Sequence, residues 1–210
     1  MSISNKLLLR YRPAERANHW LVAITFILLA LSGLAFFDPS WFWLTTFFGG
    51  GPWTRIIHPW LGVVMVISFT ALATRMWRHN LLTANDRRWL RQIGDVARNR
   101  EERLPEVGRY NGGQKVLFWI MISCMFLLLA SGLIIWYQYF ALYFPVEVRR
   151  IAVVVHAVAA FVLIAGILVH IYAAIWVRGT MGAMIRGTVL RAWAKKHHRG
   201  WYRKITGESE

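Results

Sequence analysis

The sequence predicts an all-α fold, a four-helix bundle embedded in a membrane. Three observations carry this. Hydrophobic residues make up 57% of the 210-residue chain, with a mean hydropathy of +0.40, whereas a water-soluble domain is nearer half apolar. The apolar residues fall into four runs, about 19–37, 56–74, 116–137 and 151–177, each near or above the roughly 20 residues that cross a bilayer as a helix. The formally charged residues all lie outside these runs.

The first run follows a polar segment with Lys6, Arg10, Arg12 and Arg16, and opens on His19-Trp20. No cleavable signal is expected, because this run continues as a full-length span. Residues 38–55 hold Asp38, Pro39, Gly49 to Gly51 and Pro52 among aromatics, which suits an interfacial connection. The second run carries His58 near its start, followed by Pro59. With a helix beginning at about Ile56, that proline sits in the first turn, where no backbone partner is lost. Residues 75–115 are too charged for lipid and are expected to include a short surface helix around Arg87 to Ala97. The third run is uncharged and contains Cys124 and Gly132; the fourth is followed by a basic tail, 178–210. The whole chain, 1–210, is expected to form one transmembrane domain.

Charge placement sets the expected orientation. Four Lys or Arg precede the first run, ten lie in 75–115 and eight in the tail, against three (Arg55, Arg149, Arg150) in the two short loops. Positive loops stay in the cytoplasm, so both termini and the 75–115 loop are expected inside and the short loops outside. The net charge of +15 belongs to orientation and lipid headgroups, and no nucleic-acid partner is expected. The single cysteine, Cys124, excludes an internal disulfide, a cysteine-ligated iron–sulfur site and a c-type haem attachment.

The fourth run holds two histidines, His156 and His170. Fourteen positions bring them to within about 40° of one helical stripe and about 21 Å apart along it. Ionisable side chains at membrane depth point to function. By the expected orientation His58 and His156 lie at the outer depth, and His19 and His170 at the inner depth. Two imidazoles at one depth make a bis-axial haem site suited to electron transfer, and without a thioether motif the haem is b type. Two haems b are therefore expected, His58 with His156 outside and His19 with His170 inside. Membrane histidines also serve as interhelical hydrogen-bond partners, so a haem-free anchor is the competing reading. No acid lies in any span to build a di-metal site. His79, His197 and His198 are expected to be solvated. Arg55, Arg149 and Arg150 outside and Arg16 inside are placed to meet haem propionates. Gly33, Gly62, Gly132 and Gly166 suit either close approach of a macrocycle or close helix packing.

An internal echo supports the pairing. LLALSGLAFF (28–37) resembles LLLASGLIIW (127–136), Gly33 and Gly132 are 99 positions apart, and His58 and His156 are 98 apart. The first two spans then correspond to the last two, unless the likeness is that of any two apolar helices.

The segments RYRPAERANHW, RIIHPWLGVVMV, VGRYNGGQKVLFW, VRGT and WAKKHHRGWY resemble, in order, the cytochrome b (gamma) subunit of respiratory formate dehydrogenases. That resemblance implies a subunit of the bacterial inner membrane, anchoring an iron–sulfur beta subunit and a molybdenum or tungsten alpha subunit on the periplasmic side. It leaves room for a higher oligomer of the heterotrimer. It implies electron transfer from the outer to the inner haem and on to a quinone, menaquinone or ubiquinone, near the cytoplasmic face. The family's haem ligands fall on His58 and His156 and on His19 and His170. Its quinone pocket falls on Asn111, Gly113 and Gln114, beside His170. Read from the residues alone, YNGGQK is better taken as a glycine-rich turn opening the third span. Tyr137-Gln138 and Arg199 depart from the family's pattern, the first in the outer loop that faces partners. The cytochrome b subunit of a membrane hydrogenase or thiosulfate-reductase complex shares the same bundle and is the nearest alternative.

Overall fold

Lipid offers the backbone no hydrogen-bond partner, so a single segment that crosses it must satisfy its own amides as a helix. The computed structural model describes residues 7–98 and 100–208. A three-residue strand β1 (Leu7–Leu9) precedes helix α1 (Pro13–Phe37), which opens on proline at a position where no amide is lost. A 3-10 helix (Pro39–Phe48) leads to α2 (Gly51–Met76). Two short helices follow, α3 (Ala84–Arg91) and α4 (Ile93–Ala97), then α5 (Gly112–Ile135) and α6 (Val146–Trp176). The tail contains α7 (Thr180–Arg186), strand β2 (Thr188–Leu190), α8 (Arg191–His197) and α9 (Arg199–Thr206). The strands pair antiparallel, with Leu8 opposite Val189. Four helices, built on α1, α2, α5 and α6, are long and apolar enough to cross a membrane.

Each of these four begins ahead of its apolar run, by about a turn or more. The apolar run marks what lipid can hold, while the helix continues as long as its residues tolerate the conformation. One consequence corrects the expectation for Pro59. Because α2 starts at Gly51, Pro59 lies in the helix interior, and it withholds an N–H from the Arg55 carbonyl one turn earlier. The connection after α1 is also more ordered than expected. Asp38 caps the 3-10 helix by accepting from Ser40 N, and Gly49 ends it with φ 83°, a left-handed conformation that favours glycine. The expected surface helix around Arg87 to Ala97 is two helices broken at Gln92.

The chain divides into two compact units. One comprises Ala17–Ala73 and Ile120–Val169. In it α1, α2, α5 and α6 pack around Met65, Cys124, Met125 and Leu163, with Phe26 and Leu29 against them. Cys124 is a small buried apolar residue of this core, as expected.

The other unit comprises 1–16, Thr74–Trp119 and His170–Glu210. Its core holds Val189, Ala194, Trp201 and Tyr202, and it also buries charge. Lys115 Nζ lies 2.7 Å from Asp86 Oδ2, and both side chains are almost fully enclosed. Burial pushes the Asp86 carboxyl up, but hydrogen bonds from Lys115 and Thr83 outweigh it and hold the carboxyl below the ordinary carboxylate range. Arg10 is buried, its guanidinium 4.3 Å from the Trp201 ring and also over Tyr110 and Trp193. Arg10 and Arg109 each donate to the other's backbone carbonyl. The amides of Arg10 and Tyr11 donate to Gly187 O, and a side chain at Gly187 would meet Tyr11 O at 2.7 Å. The polar segments RYR, VGRYNGGQ, VRGT and WAKKHHRGWY all belong to this unit.

His198 corrects a second expectation, because it is buried and not solvated. Its Nδ1–H donates to Gly108 O at 3.0 Å, and burial pushes its pKa down to about 3. His79 is exposed and His197 is half-buried.

Candidate functional site

His58 on α2 and His156 on α6 face one another in the unit of 17–73 and 120–169. Their ring centroids are 6.3 Å apart and the rings are tilted by 59°. Both line a cavity of about 370 Å³ whose wall is otherwise almost wholly apolar, within the size range of small-molecule sites. Trp136 closes part of the wall and packs edge-on against Trp60 at 5.3 Å.

The rings are held by the residues of the internal echo. Ser32 Oγ lies 2.7 Å from His58 Nδ1, and Ser131 Oγ lies 3.0 Å from His156 Nδ1. A Cβ at the adjacent Gly33 would sit 3.6 Å from His58 Cε1, and one at Gly132 would sit 3.3 Å from His156 Cε1. Gly132 makes room for the His156 imidazole, a role distinct from both expected ones, whereas a Cβ at Gly33 would make only ordinary contact with His58. A Cβ at Gly62, which also lines the cavity, would meet nothing within 4 Å.

The other expected residues fall as follows. His19 is half-buried on α1, its ring edge-on to Trp20 at 5.7 Å. The neighbouring Asn18 donates to Ser68 O on α2 at 2.9 Å. His170 lies on the exposed face of α6. His19 belongs to one compact unit and His170 to the other.

Asn111 and Gln114 form a reciprocal cap at the start of α5. Gln114 N donates to Asn111 Oδ1 at 2.9 Å, and Asn111 N donates to Gln114 Oε1 at 3.0 Å. A Cβ at Gly113 would lie 3.1 Å from the Trp89 ring, and one at Gly112 would lie 2.9 Å from Asp86 O. The glycine pair therefore lets α3 sit tightly on the first turn of α5. The turn reading of YNGGQK accounts for both amide oxygens.

The Arg55 guanidinium lies 5.8 Å from the centre of the Phe36 ring, which lines the cavity. Arg149 Nε has no hydrogen-bond partner among the described residues, and Arg150 is exposed. Arg16 donates from Nη1 to Ile185 O.

Comparison with known proteins decides the family. Residues 10–187 match the family model described as prokaryotic cytochrome b561. The chain belongs to that family. It is also 48% identical over 203 residues to the formate dehydrogenase cytochrome b556(fdo) subunit of Escherichia coli K12, covering 97% of this chain and 95% of that one. The nitrate-inducible cytochrome b556(Fdn) subunit of the same organism is 44% identical over 201 residues, covering 96% and 93%. The formate dehydrogenase cytochrome b556 subunit of Haemophilus influenzae is 42% identical over 205 residues, covering 97% and 86%.

This cytochrome b561 family member is an integral membrane protein, and a cytochrome b carries haem b. His58 and His156 fit that group. An imidazole nitrogen binds a transition-metal ion at about 2 Å, which puts two rings on opposite sides of one ion with centroids about 6 Å apart. The observed 6.3 Å agrees. The apolar wall and the room at Gly62 suit a flat macrocycle. Sequence reasoning found both histidines and both glycines but missed Ser32 and Ser131. The signal was present, since a serine precedes the glycine in both LSGL and ASGL.

Proposed function

We propose that this chain is the two-haem membrane subunit of a formate dehydrogenase complex, passing electrons inward to a quinone. The observation that carries it is the pair His58 and His156, placed across one apolar cavity at a spacing that fits a shared iron. The likeness to three formate dehydrogenase cytochrome b556 subunits supplies the donor. It favours formate over the hydrogenase and thiosulfate-reductase alternatives.

Haem b, when bound, supplies reversible one-electron transfer. His58 and His156 hold the outer group, and His19 and His170 hold the inner one. Each imidazole would offer a neutral nitrogen to the group, a ligand set that would favour electron transfer over oxygen chemistry. Apolar side chains around His58 and His156 exclude water and keep the rings in place. Arg55, Arg149 and Arg150 neutralise propionates outside, and Arg16 does so inside. Asn111, Gly113, Gln114 and His170 bind the quinone, with the two side-chain amides as hydrogen-bond donors to its carbonyls. Menaquinone and ubiquinone both present the carbonyls that such donors recognise.

The partners are an iron–sulfur subunit and a molybdenum or tungsten catalytic subunit on the periplasmic side of the bacterial inner membrane. Both termini of this chain are cytoplasmic, on the strength of the Lys and Arg distribution. The chain works as one transmembrane domain. Inward electron flow and proton uptake from the cytoplasm separate charge, at a cost of about 2.3 kcal/mol per charge per 100 mV. A strongly reducing donor such as formate meets that cost.

Purification of the intact complex, subunit identification and a pyridine haemochrome assay test the reading. Two haems b per chain are expected, together with the two partner subunits. Fewer than two haems would sink the two-haem assignment. In the same complex Asn111→Ala is expected to slow quinone reduction while leaving both haem spectra unchanged. Unaltered turnover would remove Asn111 from the quinone site.

A further inference from the structure

The hydroxyls that hold the two cavity histidines have their single protons engaged elsewhere. Ser32 Oγ lies 2.8 Å from Leu28 O and 3.1 Å from Leu29 O. Ser131 Oγ lies 2.5 Å from Leu127 O and 3.4 Å from Leu128 O. A carbonyl only accepts, so each hydroxyl donates to the preceding turn of its own helix. Only lone pairs then remain to meet His58 Nδ1 at 2.7 Å and His156 Nδ1 at 3.0 Å. A lone pair facing Nδ1 requires a proton on that nitrogen. The opposite nitrogen, Nε2, is left with the lone pair that a metal ion takes. Both serines are buried, at 0% and 3% exposure, so bulk water does not compete for the contact. The arrangement occurs twice, on α1 with α2 and on α5 with α6.

We infer that Ser32 and Ser131 are positioning residues that lock His58 and His156 in the Nδ1–H tautomer, pre-set both rings to ligate one outer haem through Nε2, and hold its potential down. The inference rests on the reading that this pair binds a haem. Its physical basis is ligand basicity. A ring that donates from Nδ1 is a stronger donor at Nε2, and a stronger donor favours oxidised over reduced iron. Without Ser32 the His58 ring loses its hydroxyl acceptor, and without Ser131 the His156 ring keeps only its backbone acceptor at Leu128, so both rings lose part of that basicity, His58 the more.

The test is an optical redox titration of the purified complex carrying Ser32→Ala and Ser131→Ala together, with the two haems resolved. The outer haem is expected to become easier to reduce, by about tenfold in its reduced-to-oxidised ratio at fixed potential, or about 59 mV for a one-electron couple. The inner haem is expected to be unmoved and serves as the internal reference. Ser32→Thr and Ser131→Thr keep the hydroxyl and are expected to retain the native potential. Selective loss of the outer haem in the double alanine variant, restored in the threonine variants, also supports the inference. An unchanged outer potential at full haem content overturns it. So does an equal shift of both haems, or loss of both, because either would mark a general structural role. Failure of the underlying reading is seen separately. If His58→Ala leaves haem content and spectra as they are, no haem is bound there, whatever the serine variants do.

Discussion

The two compact units use polar side chains in opposite ways. In the unit of 17–73 and 120–169 the buried polar groups around the cavity are few and come as a duplicated set, Ser32 with His58 and Ser131 with His156. In the other unit, charged side chains and one buried neutral histidine tie segments together, through Arg10 with Arg109, Lys115 with Asp86, and His198 with Gly108. The difference follows from solvent. Between spans a polar atom is costly, so Thr25 and Thr54 bond their own helix backbone, and the serines beside the cavity are matched one to one with its histidines. Beyond the spans, buried charges can be enclosed by a network that meets their hydrogen-bonding capacity. Disturbance of the first set should therefore be read out in the cofactor, and disturbance of the second in stability.

The largest effect that would break this contrast is at the ion pair. Lys115→Met strands the Asp86 carboxylate, and losing one partner of a buried pair costs about 3–5 kcal/mol. Thermal unfolding in detergent is expected to show the loss, while the outer haem spectrum of the folded fraction stays native. A Lys115→Met/Asp86→Asn double variant is expected to recover part of it. If Lys115→Met instead alters the outer haem and leaves stability intact, the division of roles fails.

Acid provides the next largest effect. The unfolded chain protonates His198 near its ordinary 6.5, but the folded chain only near 3. Stability is therefore full above pH 6.5 and falls with pH below it, by up to about 1.4 kcal/mol per pH unit until about pH 3. Asp86, whose folded value lies below 3.8, adds its own loss only in stronger acid. Unfolding followed between pH 7 and pH 5 is expected to show this slope, and His198→Gln to flatten it. An equal slope in wild type and variant would remove His198 as the cause.

The smallest effect sharpens the comparison inside the duplicated set. A Cβ at position 132 would sit 3.3 Å from the His156 ring, tighter than ordinary contact, but one at position 33 would sit 3.6 Å from His58. Gly132→Ala is expected to perturb the outer haem band measurably, and Gly33→Ala to leave it near native. Equal responses would mean that the two halves are equivalent at this level.

Much of this was legible in the sequence, because lipid imposes strong rules. Four uncharged runs gave four spanning helices, and the 98-residue offset between His58 and His156 anticipated their meeting. Helix starts were not legible, since nothing in an apolar run marks where a helix begins in the interface. Pro59 was misplaced for that reason. The serines were overlooked because a serine in an apolar helix commonly bonds its own preceding turn, and only the structure reveals that its lone pair also meets a histidine. The polar segments were readable as family motifs but not as contacts. Arg10, Lys115 and His198 look like surface residues in a basic chain, and their burial depends on partners about 29 to 99 residues away that spacing alone does not bring together.

The central claim is that His58 and His156 hold one and the same haem. Haem-to-protein ratios in His58→Ala, His156→Ala and the double variant test it most directly. The account predicts that each single variant loses one haem, with the same spectral component missing in both, and that the double variant loses no more than either single. Loss of different components in the two single variants, or of two haems in the double variant, would contradict it.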